Sequence, residues 1–264
     1  MTGPLGHLAP FGGRRFERIA NVVLLDEAAS TNDVARALVE KMVAEDTDLL
    51  PTCVVARRQT AGKGRSGRSW QTAGDGAVAA SLVAPWPEGP GRIRVPVHAG
   101  IVLARSLSAA FGVELRLKWP NDLLAGGKKV AGILVEGRAL AEGAGYVVVG
   151  VGLNVRATRA ELDDLGLPAA SSLALEGAAP AALRGDAPFA AVVSALDGLL
   201  GDEVADLPSA FASVTVHRPG DVLEVRDGEK VVRGRYLGLT EDGLLRLETE
   251  GGVTELLSGD VTSF

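Results

Sequence analysis

The chain has 264 residues, with 27 Lys+Arg against 33 Asp+Glu and a formal net charge of -6, and 47% of its residues are hydrophobic. This composition is typical of a globular protein and excludes a disordered chain or a coiled coil. A single cysteine, Cys53, excludes a disulfide scaffold, and three scattered histidines give no pattern typical of a zinc site. The longest apolar run, around residues 146–151, is far shorter than the ~20 residues that span a bilayer, so a cytoplasmic protein is expected.

The first part of the chain predicts strands and a helix in alternation. Residues 22–25 form an apolar, β-branched run. Ser30 stands three residues before Asp33, a spacing typical of a capping box, and predicts the start of a helix. Residues 52–57 and 77–84 predict two further strands, which a long polar, glycine-rich segment joins.

The middle of the chain continues this alternation. Residues 97–111 have a helical apolar pattern that ends at Gly112, a residue type that tolerates the positive φ common at helix ends. Strand-like runs follow at residues 113–118, 130–136 and 146–151, and residues 188–212 are mostly helical in pattern. The Ala- and Leu-rich residues 158–186 indicate only packing.

The pattern changes past residue 213, where turn dipeptides such as Asp227-Gly228 and Asp242-Gly243 recur at a short interval. Strands at this spacing predict a small β-barrel over residues 214–264, after a larger domain over residues 1–213. Residues 214–264 carry 6 Lys+Arg and 10 Asp+Glu, and the sequence pI is about 5.2. An acidic domain of this kind argues against phosphate-driven nucleic-acid binding.

The segment from Gln59 to Trp70 contains a literal G-x-G-x-x-G, at Gly62, Gly64 and Gly67. A dinucleotide-binding turn needs a helix to begin directly after these glycines, so that the helix N-terminus meets a pyrophosphate. Polar residues and then a predicted strand follow instead, so a Rossmann site is not favoured. A Walker A loop is absent from the sequence, because no glycine stands at the required distance before a Gly-Lys-Ser/Thr.

The same segment carries three cations, Lys63, Arg65 and Arg68, which predict contacts to a phosphate chain. A solvated surface loop is the alternative. The distribution of lysine favours the ligand site: the chain has 21 Arg and only 6 Lys, yet four of the lysines lie in this segment or between Lys118 and Lys129. Lysine in an arginine-rich chain indicates a need for a compact, mobile charge.

A second polar cluster, Lys118-Trp119-Pro120-Asn121-Asp122, lies between two predicted strands. It places a cation, an indole, an amide and a carboxylate around a rigid proline, and the next predicted strand opens on Lys129. Polar groups at this density between apolar strands are costly to order unless they meet a ligand, so the cluster predicts a binding site.

These motifs resemble those of the biotin protein ligases (biotin–acetyl-CoA-carboxylase ligases). The resemblance rests on the small C-terminal β domain and on five segments in the family's order: Ser30-Thr31-Asn32, Gln59 to Trp70, Lys118 to Asp122, residues 129–134 and residues 150–154. It implies that biotin's carboxylate attacks the α-phosphate of ATP to give biotinyl-5'-AMP and pyrophosphate, and that a lysine of a carrier protein then displaces AMP. Biotin, ATP and Mg²⁺ are the implied small molecules, and a biotin carboxyl carrier protein or domain is the implied acceptor.

The resemblance also assigns roles to individual residues. The family's biotin-contacting positions correspond to Ser30, Thr31, Asn32 and Gln59, and plain helix capping by the first three stays open. The loop over the adenylate corresponds to Lys63, Gly64, Arg65 and Arg68, and further cofactor-binding positions correspond to Trp70, Asn121, Gly132 and Asn154. Trp70 either stacks on the nucleotide or belongs to the core.

Three residues are implied in catalysis. Lys129 corresponds to the lysine that contacts biotin's carboxylate and the α-phosphate, and Arg65 to a cation of the loop that closes over the adenylate. Asp122 resembles the carboxylate that orients or deprotonates the incoming lysine amine, or helps to hold Mg²⁺. No dedicated metal site is predicted.

The fold implied by the resemblance is α+β, of the class II synthetase-like biotin/lipoate ligase type: a mixed β-sheet flanked by helices, then a small C-terminal β-barrel. We expect no DNA or membrane partner, and either a monomer or a homodimer. Two positions depart from the family. Lys63 stands where many bacterial members have arginine, so this chain keeps the charge but lacks the bidentate fork of a guanidinium. The chain also ends at Phe264, where some relatives continue to an arginine.

Two rival functions stay open. A lipoate or octanoate transferase has the same architecture, although residues 62–70 and 118–122 favour biotin. A biotin-sensing DNA-binding regulator needs a reader domain. Only about 20 residues, rich in glycine and proline, precede the first predicted strand, and the β domain is acidic, so a repressor is not expected.

Overall fold

A computed structural model describes residues 15–71, 76–85, 91–139 and 145–263. Its helices are α1 (Thr31–Ala44), α2 (Gly91–Phe111), α3 (Arg159–Asp164), α4 (Ala187–Leu199) and α5 (Leu207–Val214). Its strands are β1 (Asn21–Ala28), β2 (Thr52–Gln59), β3 (Gly62–Lys63), β4 (Ser69–Trp70), β5 (Ala77–Pro85), β6 (Arg116–Lys118), β7 (Asp122–Ala125), β8 (Lys128–Ala139), β9 (Gly145–Asn154), β10 (Val222–Asp227), β11 (Lys230–Leu239), β12 (Leu245–Thr249), β13 (Gly252–Leu256) and β14 (Asp260–Ser263). No helix in these ranges is long and apolar enough to cross a membrane.

Seven of the strands form a mixed sheet in the order β1-β2-β5-β9-β8-β7-β6. β1 and β2 are parallel, and each other neighbouring pair in this sheet is antiparallel. α1 packs on one face, against β2, β5 and β9, while α2 and α4 cover the other face. The predicted mixed sheet flanked by helices is therefore confirmed.

The apolar surface of the neighbouring strands β5 and β9 is broken at one small polar patch. β5 and β9 are buried along almost their whole lengths, as expected for strands covered on both faces. Within β5, Ser81 pairs with Gly150 of β9, and both residues face Asn32 at the N-terminus of α1. This break in the apolar surface is where the site described below begins.

Several element bounds differ from the predictions. α2 begins at Gly91 rather than at residue 97, because the helix runs through Pro96. β6 covers only part of the predicted strand at residues 113–118. The short strands β3, β4 and β7 were not predicted, because runs of two to four residues give no periodic signal. Residues 158–186, read only as packing, contain α3 and a 3₁₀ turn at Pro180–Leu183.

The C-terminal strands form a five-stranded antiparallel sheet in the order β13-β12-β11-β10-β14. The all-β prediction for this region is confirmed, but the sheet is open rather than a closed barrel. β14 pairs with β10, which leaves β13 and β14 as the two edges, and no pairing within the described residues joins them. The predicted boundary near residue 214 falls at the C-terminal end of α5, before β10, and stays a prediction.

Residues 215–217 connect the two sheets and lie along β6. The Thr215 hydroxyl donates to the Leu117 carbonyl at 3.1 Å. The Trp119 N–H donates to His217 Nε2 at 3.3 Å, and the His217 side chain is buried. The connecting segment therefore holds the backbone that leads into the second polar cluster.

We expect His217→Gln to flatten the pH dependence of stability between about pH 6.5 and pH 4. Burial lowers the pKa of His217 to about 4, and the nearby Lys118 ammonium acts in the same direction. Because the unfolded chain binds this proton more readily, the free energy of unfolding of the wild type falls by up to about 3 kcal/mol as the pH drops through this window. Glutamine keeps an acceptor for Trp119 without titrating. Urea unfolding at about pH 7 and pH 5 measures the effect, and equal pH dependence in both proteins would contradict it.

Candidate active site

One cavity lies between the N-terminus of α1, residues 62–70, the start of β8 and the end of β9. We call residues 62–70 the cationic hairpin; they comprise β3, a 3₁₀ turn at Arg65–Gly67 and β4. Twelve of the predicted site residues line this cavity: Ser30, Thr31, Asn32, Gln59, Lys63, Gly64, Arg65, Arg68, Trp70, Asn121, Lys129 and Gly132. Ser69, Ile133, Leu134, Gly150, Val151 and Gly152 complete the lining. The fold thus brings together segments that are far apart in the chain.

A network of hydrogen bonds, the polar floor, lies at the α1 end of the cavity and joins Thr31, Asn32, Gln59, Ser81 and Glu136. Gln59 Oε1 accepts from the Thr31 N–H at 2.8 Å and from the Thr31 hydroxyl at 3.1 Å. Ser81 Oγ lies 2.7 Å from Thr31 Oγ1 and 2.6 Å from Asn32 Oδ1. Asn32 Nδ2 donates to Glu136 Oε2 at 2.6 Å. These groups fix one another's orientation, as recognition of a small polar ring requires.

The predicted capping box at Ser30 and Asp33 is wrong. Ser30 is the N-cap residue of α1, but its side chain makes no capping hydrogen bond. Gln59 of β2 supplies the acceptor for the first helical N–H, and Asp33 instead pairs with Lys63 Nζ at 2.6 Å. Partial burial raises the pKa of Asp33, but its bonds to Lys63 and Arg36 outweigh this effect and hold the pKa below its ordinary value.

The cationic hairpin is a turn closed by its own backbone. β3 and β4 pair in antiparallel register, and the Gly64 N–H donates to the Arg68 carbonyl at 2.8 Å. Ser66 and Gly67 both have positive φ, at 54° and 73°. Strand β4 follows the glycines, so the described part of this loop lacks the helix N-terminus of a dinucleotide-binding turn. The Rossmann alternative is thereby excluded.

The four Lys and Arg side chains that line the cavity each have a carboxylate partner. Lys63 pairs with Asp33, Lys129 with Asp122, and both Arg65 and Arg68 with Asp260. All of these side chains are partly exposed, so the pairs contribute little to stability. Their effect is to hold four cations around one cavity while limiting the repulsion between them.

Lys129 is held in place by its backbone. Its N–H donates to the Ala169 carbonyl at 3.0 Å, and its carbonyl accepts from the Ser171 N–H at 2.7 Å. Its Nζ lies 2.6 Å from Asp122 Oδ1, so Asp122 borders the cavity through Lys129 without lining it. Burial lowers the pKa of the neighbouring Lys118; the Asp122 carboxylate opposes this shift and the Lys129 ammonium adds to it.

Trp70 lies on a flat surface made by two glycines. Gly132 and Gly152 are cross-strand partners in β8 and β9. A Cβ would lie 2.3 Å from the Trp70 indole at Gly152 and 3.1 Å from it at Gly132. Lys129 Nζ lies 5.7 Å from the indole ring centroid. Trp70 is half-buried on the cavity wall, so it is not part of the fully buried core, and its stacking on a nucleotide stays a prediction.

The two predicted nucleotide-contacting amides have different positions. Asn121 lines the cavity, and its side chain donates to the Ile133 carbonyl at 2.9 Å and accepts from Arg65 Nη1 at 3.2 Å. Asn154 is not among the lining residues: it is buried, and its Nδ2 donates to the Ser171 carbonyl at 3.0 Å. Since Ser171 also binds the Lys129 carbonyl, Asn154 supports the backbone behind Lys129.

The predicted site residues did not include Ser81, Glu136, Gly150 or Asp260, although the segment 150–154 was matched to the family. Ser81 did carry a signal, because it is a lone polar residue in the apolar strand β5. Gly150 also carried one, because glycine alternates with valine in β9, a pattern typical of close approach by another group. Asp260 gave no signal, since its contacts depend on how the C-terminal sheet meets the cationic hairpin.

Two family models match the chain and together cover more than half of it. The model of the Biotin/lipoate A/B protein ligase family matches residues 29–154, which include every residue that lines the cavity. The model of the Biotin protein ligase C terminal domain matches residues 224–262. The chain belongs to the biotin protein ligase family.

Individual members of the biotin protein ligase family are similar to this chain over long stretches. The "Bifunctional ligase/repressor BirA" of Bacillus subtilis (strain 168) is 27% identical over 252 residues, which cover 91% of this chain and 73% of the relative. The "Biotin--[acetyl-CoA-carboxylase] ligase" of Mycobacterium tuberculosis is 36% identical over 160 residues, covering 56% of this chain and 54% of the relative. The solved structure "Biotin protein ligase from Aquifex aeolicus in complex with biotin and ATP" is 25% identical, covers 92% of this chain and 98% of that one, and has a TM-score of 0.69.

Proposed function

We propose that the chain is an ATP-dependent ligase that activates biotin as biotinyl-5'-AMP and transfers it to a specific lysine of a biotin carboxyl carrier protein, a subunit or domain of acetyl-CoA carboxylase. The observation that carries this proposal is the convergence of the polar floor, the cationic hairpin and Lys129 on one cavity. In this proposal the polar floor binds the polar ring of biotin, Lys129 contacts the mixed anhydride, and the cationic hairpin covers the anhydride and the nucleoside.

In the first step, the biotin carboxylate attacks the α-phosphorus, a C–O–P bond forms, and the bond to pyrophosphate breaks. Two anions must approach each other, so fixed positive charge at the reacting atoms lowers the barrier. Lys129 Nζ lies on the cavity wall, 5.7 Å from the centroid of the Trp70 indole, where it can donate to both the carboxylate and the α-phosphate. Arg65 and Arg68 face the same space and would neutralise the remaining phosphates.

In the second step, the ε-amine of the acceptor lysine attacks the carbonyl of the mixed anhydride and AMP leaves. An amine must lose its proton to act as a nucleophile, so a nearby carboxylate aids this step. Asp122, 2.6 Å from Lys129 Nζ, is the carboxylate that we assign to orient the amine or accept its proton. Until then, the cationic hairpin keeps water and other amines away from the anhydride.

Mg²⁺ belongs to the proposal as a counter-ion of the triphosphate. This ion usually keeps several waters and takes one or two protein carboxylates besides phosphate oxygens. Among the described residues, no group of three or more His, Cys, Asp or Glu side chains forms a metal site. We assign Asp122, which lies beside the cavity at Lys129, as the carboxylate that would hold a nucleotide-bound Mg²⁺, and the bound ion would neutralise phosphate charge.

Pyrophosphate release tests the proposal against the lipoate or octanoate transferase. The chain is incubated with ATP and either biotin, lipoate or octanoate, and we expect release with biotin alone. The match of residues 224–262 to a model named for biotin protein ligases supports this choice. Release that depends on lipoate or octanoate, but not on biotin, would instead establish the rival.

A gel-shift assay with DNA tests the alternative of a biotin-sensing regulator. We expect no shift, with or without biotin and ATP, because residues 214–264 carry 10 Asp+Glu against 6 Lys+Arg, a net negative charge that disfavours binding to phosphates. A shift at physiological salt would support the regulator. The cytoplasmic location, the lack of a membrane partner and the monomeric or homodimeric state stay predictions.

We expect Arg65→Gly to form the adenylate but to release it roughly tenfold more readily. Arg65 Nη1 donates to Asn121 Oδ1 and to the Gly259 carbonyl, and hydrogen bonds from a charged donor are worth enough to account for such a factor. The measurement is biotinylation of a bystander protein relative to the carrier protein. Arg184→Gly, an exposed arginine outside the cavity lining, is the control. Unchanged target selectivity in Arg65→Gly would count against retention by the hairpin.

A further inference from the structure

The C-terminal sheet reaches the cationic hairpin at the start of β14. Arg68 Nη2 lies 2.9 and 2.8 Å from the two carboxylate oxygens of Asp260. Arg65 Nη1 donates to the Gly259 carbonyl at 3.1 Å and lies 3.6 Å from Asp260 Oδ1. Two consecutive residues of the C-terminal sheet therefore hold two cations of the hairpin.

The sheet itself positions these two residues. Asp260 is paired with Arg226 of β10, which fixes the direction of the edge strand. Gly259 has a φ of 139°, and a Cβ at this position would lie 2.5 Å from Val225 Cγ1. The backbone at Gly259 packs directly on β10, so its carbonyl is held towards Arg65 by a packing that a side chain would disturb.

Arg65 connects three parts of the molecule. Besides Gly259 and Asp260, it donates to Asn121 Oδ1 at 3.2 Å, and its side chain is 21% exposed. The outer pair is more open to solvent, since Arg68 and Asp260 are 58% and 38% exposed. Ion pairs this exposed are individually weak. The contact can therefore break and form again, as a lid over a binding cavity requires.

We propose that Asp260 is a positioning residue that latches the cationic hairpin over the cavity and so sets how long the adenylate is retained. Asp260 is not among the cavity-lining residues, and it acts through Arg65 and Arg68. The inference rests on the proposed function, because retention is defined for biotinyl-5'-AMP. It gives the C-terminal sheet a defined part in the reaction, since the latch joins that sheet to the loop that closes the site.

Asp260→Asn tests the latch, because asparagine keeps the size of the side chain and removes its charge. Asp260→Glu restores the charge and should restore the latch. Glu255→Gln is the matched control, since it removes a carboxylate from β13 that pairs with Arg246 of the neighbouring strand. Two quantities are measured: amide hydrogen exchange of the hairpin without ligand, and biotinylation of a bystander protein relative to the carrier.

We expect Asp260→Asn to raise both quantities roughly three- to tenfold, the scale set by losing partly exposed ion pairs, with little change in the first turnover of pyrophosphate release. Glu255→Gln and Asp260→Glu should stay close to the wild type. Wild-type exchange and selectivity in Asp260→Asn would overturn the latch. An equal increase in Asp260→Glu would also overturn it, because charge would then not be the cause.

Two further results separate this inference from the proposed function. Hydrogen exchange of the hairpin reports the latch whether or not the protein uses biotin, whereas a wild type without biotin-dependent pyrophosphate release would remove the proposed function itself. The latch would also be contradicted if Asp260→Asn bound ATP more tightly than the wild type while its preference for the carrier over a bystander protein stayed unchanged. Asp260 would then compete with the phosphates for Arg65 and Arg68 instead of closing the hairpin.

Discussion

Lys129→Ala is expected to slow adenylate formation by roughly 10² to 10³, the usual effect of removing one preorganised charge from a developing transition state. The Lys129 ammonium lies on the cavity wall, and its backbone is bound on both sides by residues 169 and 171. Its position is therefore set before a ligand arrives. Single-turnover pyrophosphate release with biotin and ATP measures the loss.

Lys128→Ala is the matched control for this experiment. Lys128 precedes Lys129 in β8, carries the same charge, is exposed and is not among the lining residues. We expect a near wild-type rate in this variant. A wild-type rate in Lys129→Ala would refute the role of Lys129, and an equal loss in both variants would show that only the overall charge of the region matters.

Gly150→Ala is expected to weaken biotin binding by about tenfold or more, with a smaller effect on ATP binding. A Cβ at Gly150 would lie 2.2 Å from Asn32 Oδ1 and 2.9 Å from Asn32 Cγ. Asn32 cannot turn away freely, since Ser81 and Glu136 hold its two amide atoms. Overpacking of this kind costs about 1–3 kcal/mol, and the polar floor absorbs the displacement. Calorimetric titration with biotin measures the change.

Two further variants make the Gly150 result unambiguous. Gly198→Ala, in α4, adds a Cβ with no atom within 4 Å and should leave biotin binding unchanged. If Gly150→Ala does not fold, Asn32→Ala in the same chain removes the clashing atoms, so folding should return while biotin binding stays weak. Wild-type biotin affinity in folded Gly150→Ala would show that the polar floor does not bind the vitamin.

The extent of sequence-based prediction can be judged from particular residues. The cationic residues of the hairpin were predicted because they lie in a polar, glycine-rich segment that joins two apolar strands. Lys129 was noted as the cation that opens the strand after the second polar cluster, and its role followed from the family resemblance. Gln59 was assigned a contact with biotin by resemblance. Its side chain also accepts a hydrogen bond from the first N–H of α1, and no local sequence pattern predicts this contact. The capping box failed for the same reason: an acceptor from another strand replaced the local one.

The open form of the C-terminal sheet has a similar origin. Turn dipeptides predict short strands, and those strands exist at the expected places. Whether such strands close into a barrel depends on which edges meet, and the pairing of β14 with β10 is a long-range choice that turn spacing does not encode. Asn154 is a further example, because its motif is local while its hydrogen bond to Ser171 depends on the path of the intervening loop.

Patterns along the chain were enough to predict alternating strands and helices, a small acidic β domain and two polar segments with the chemistry of an anionic ligand site, while the mixed sheet followed from the family resemblance. Apolar period, turn residues and motif order are local properties, so they can be read along the chain. Which carboxylate meets which cation depends on the folded arrangement of distant segments. Arg68 and Asp260 are 192 positions apart, and their contact exists because two separate sheets pack beside one cavity, a relation that no stretch of neighbouring residues contains.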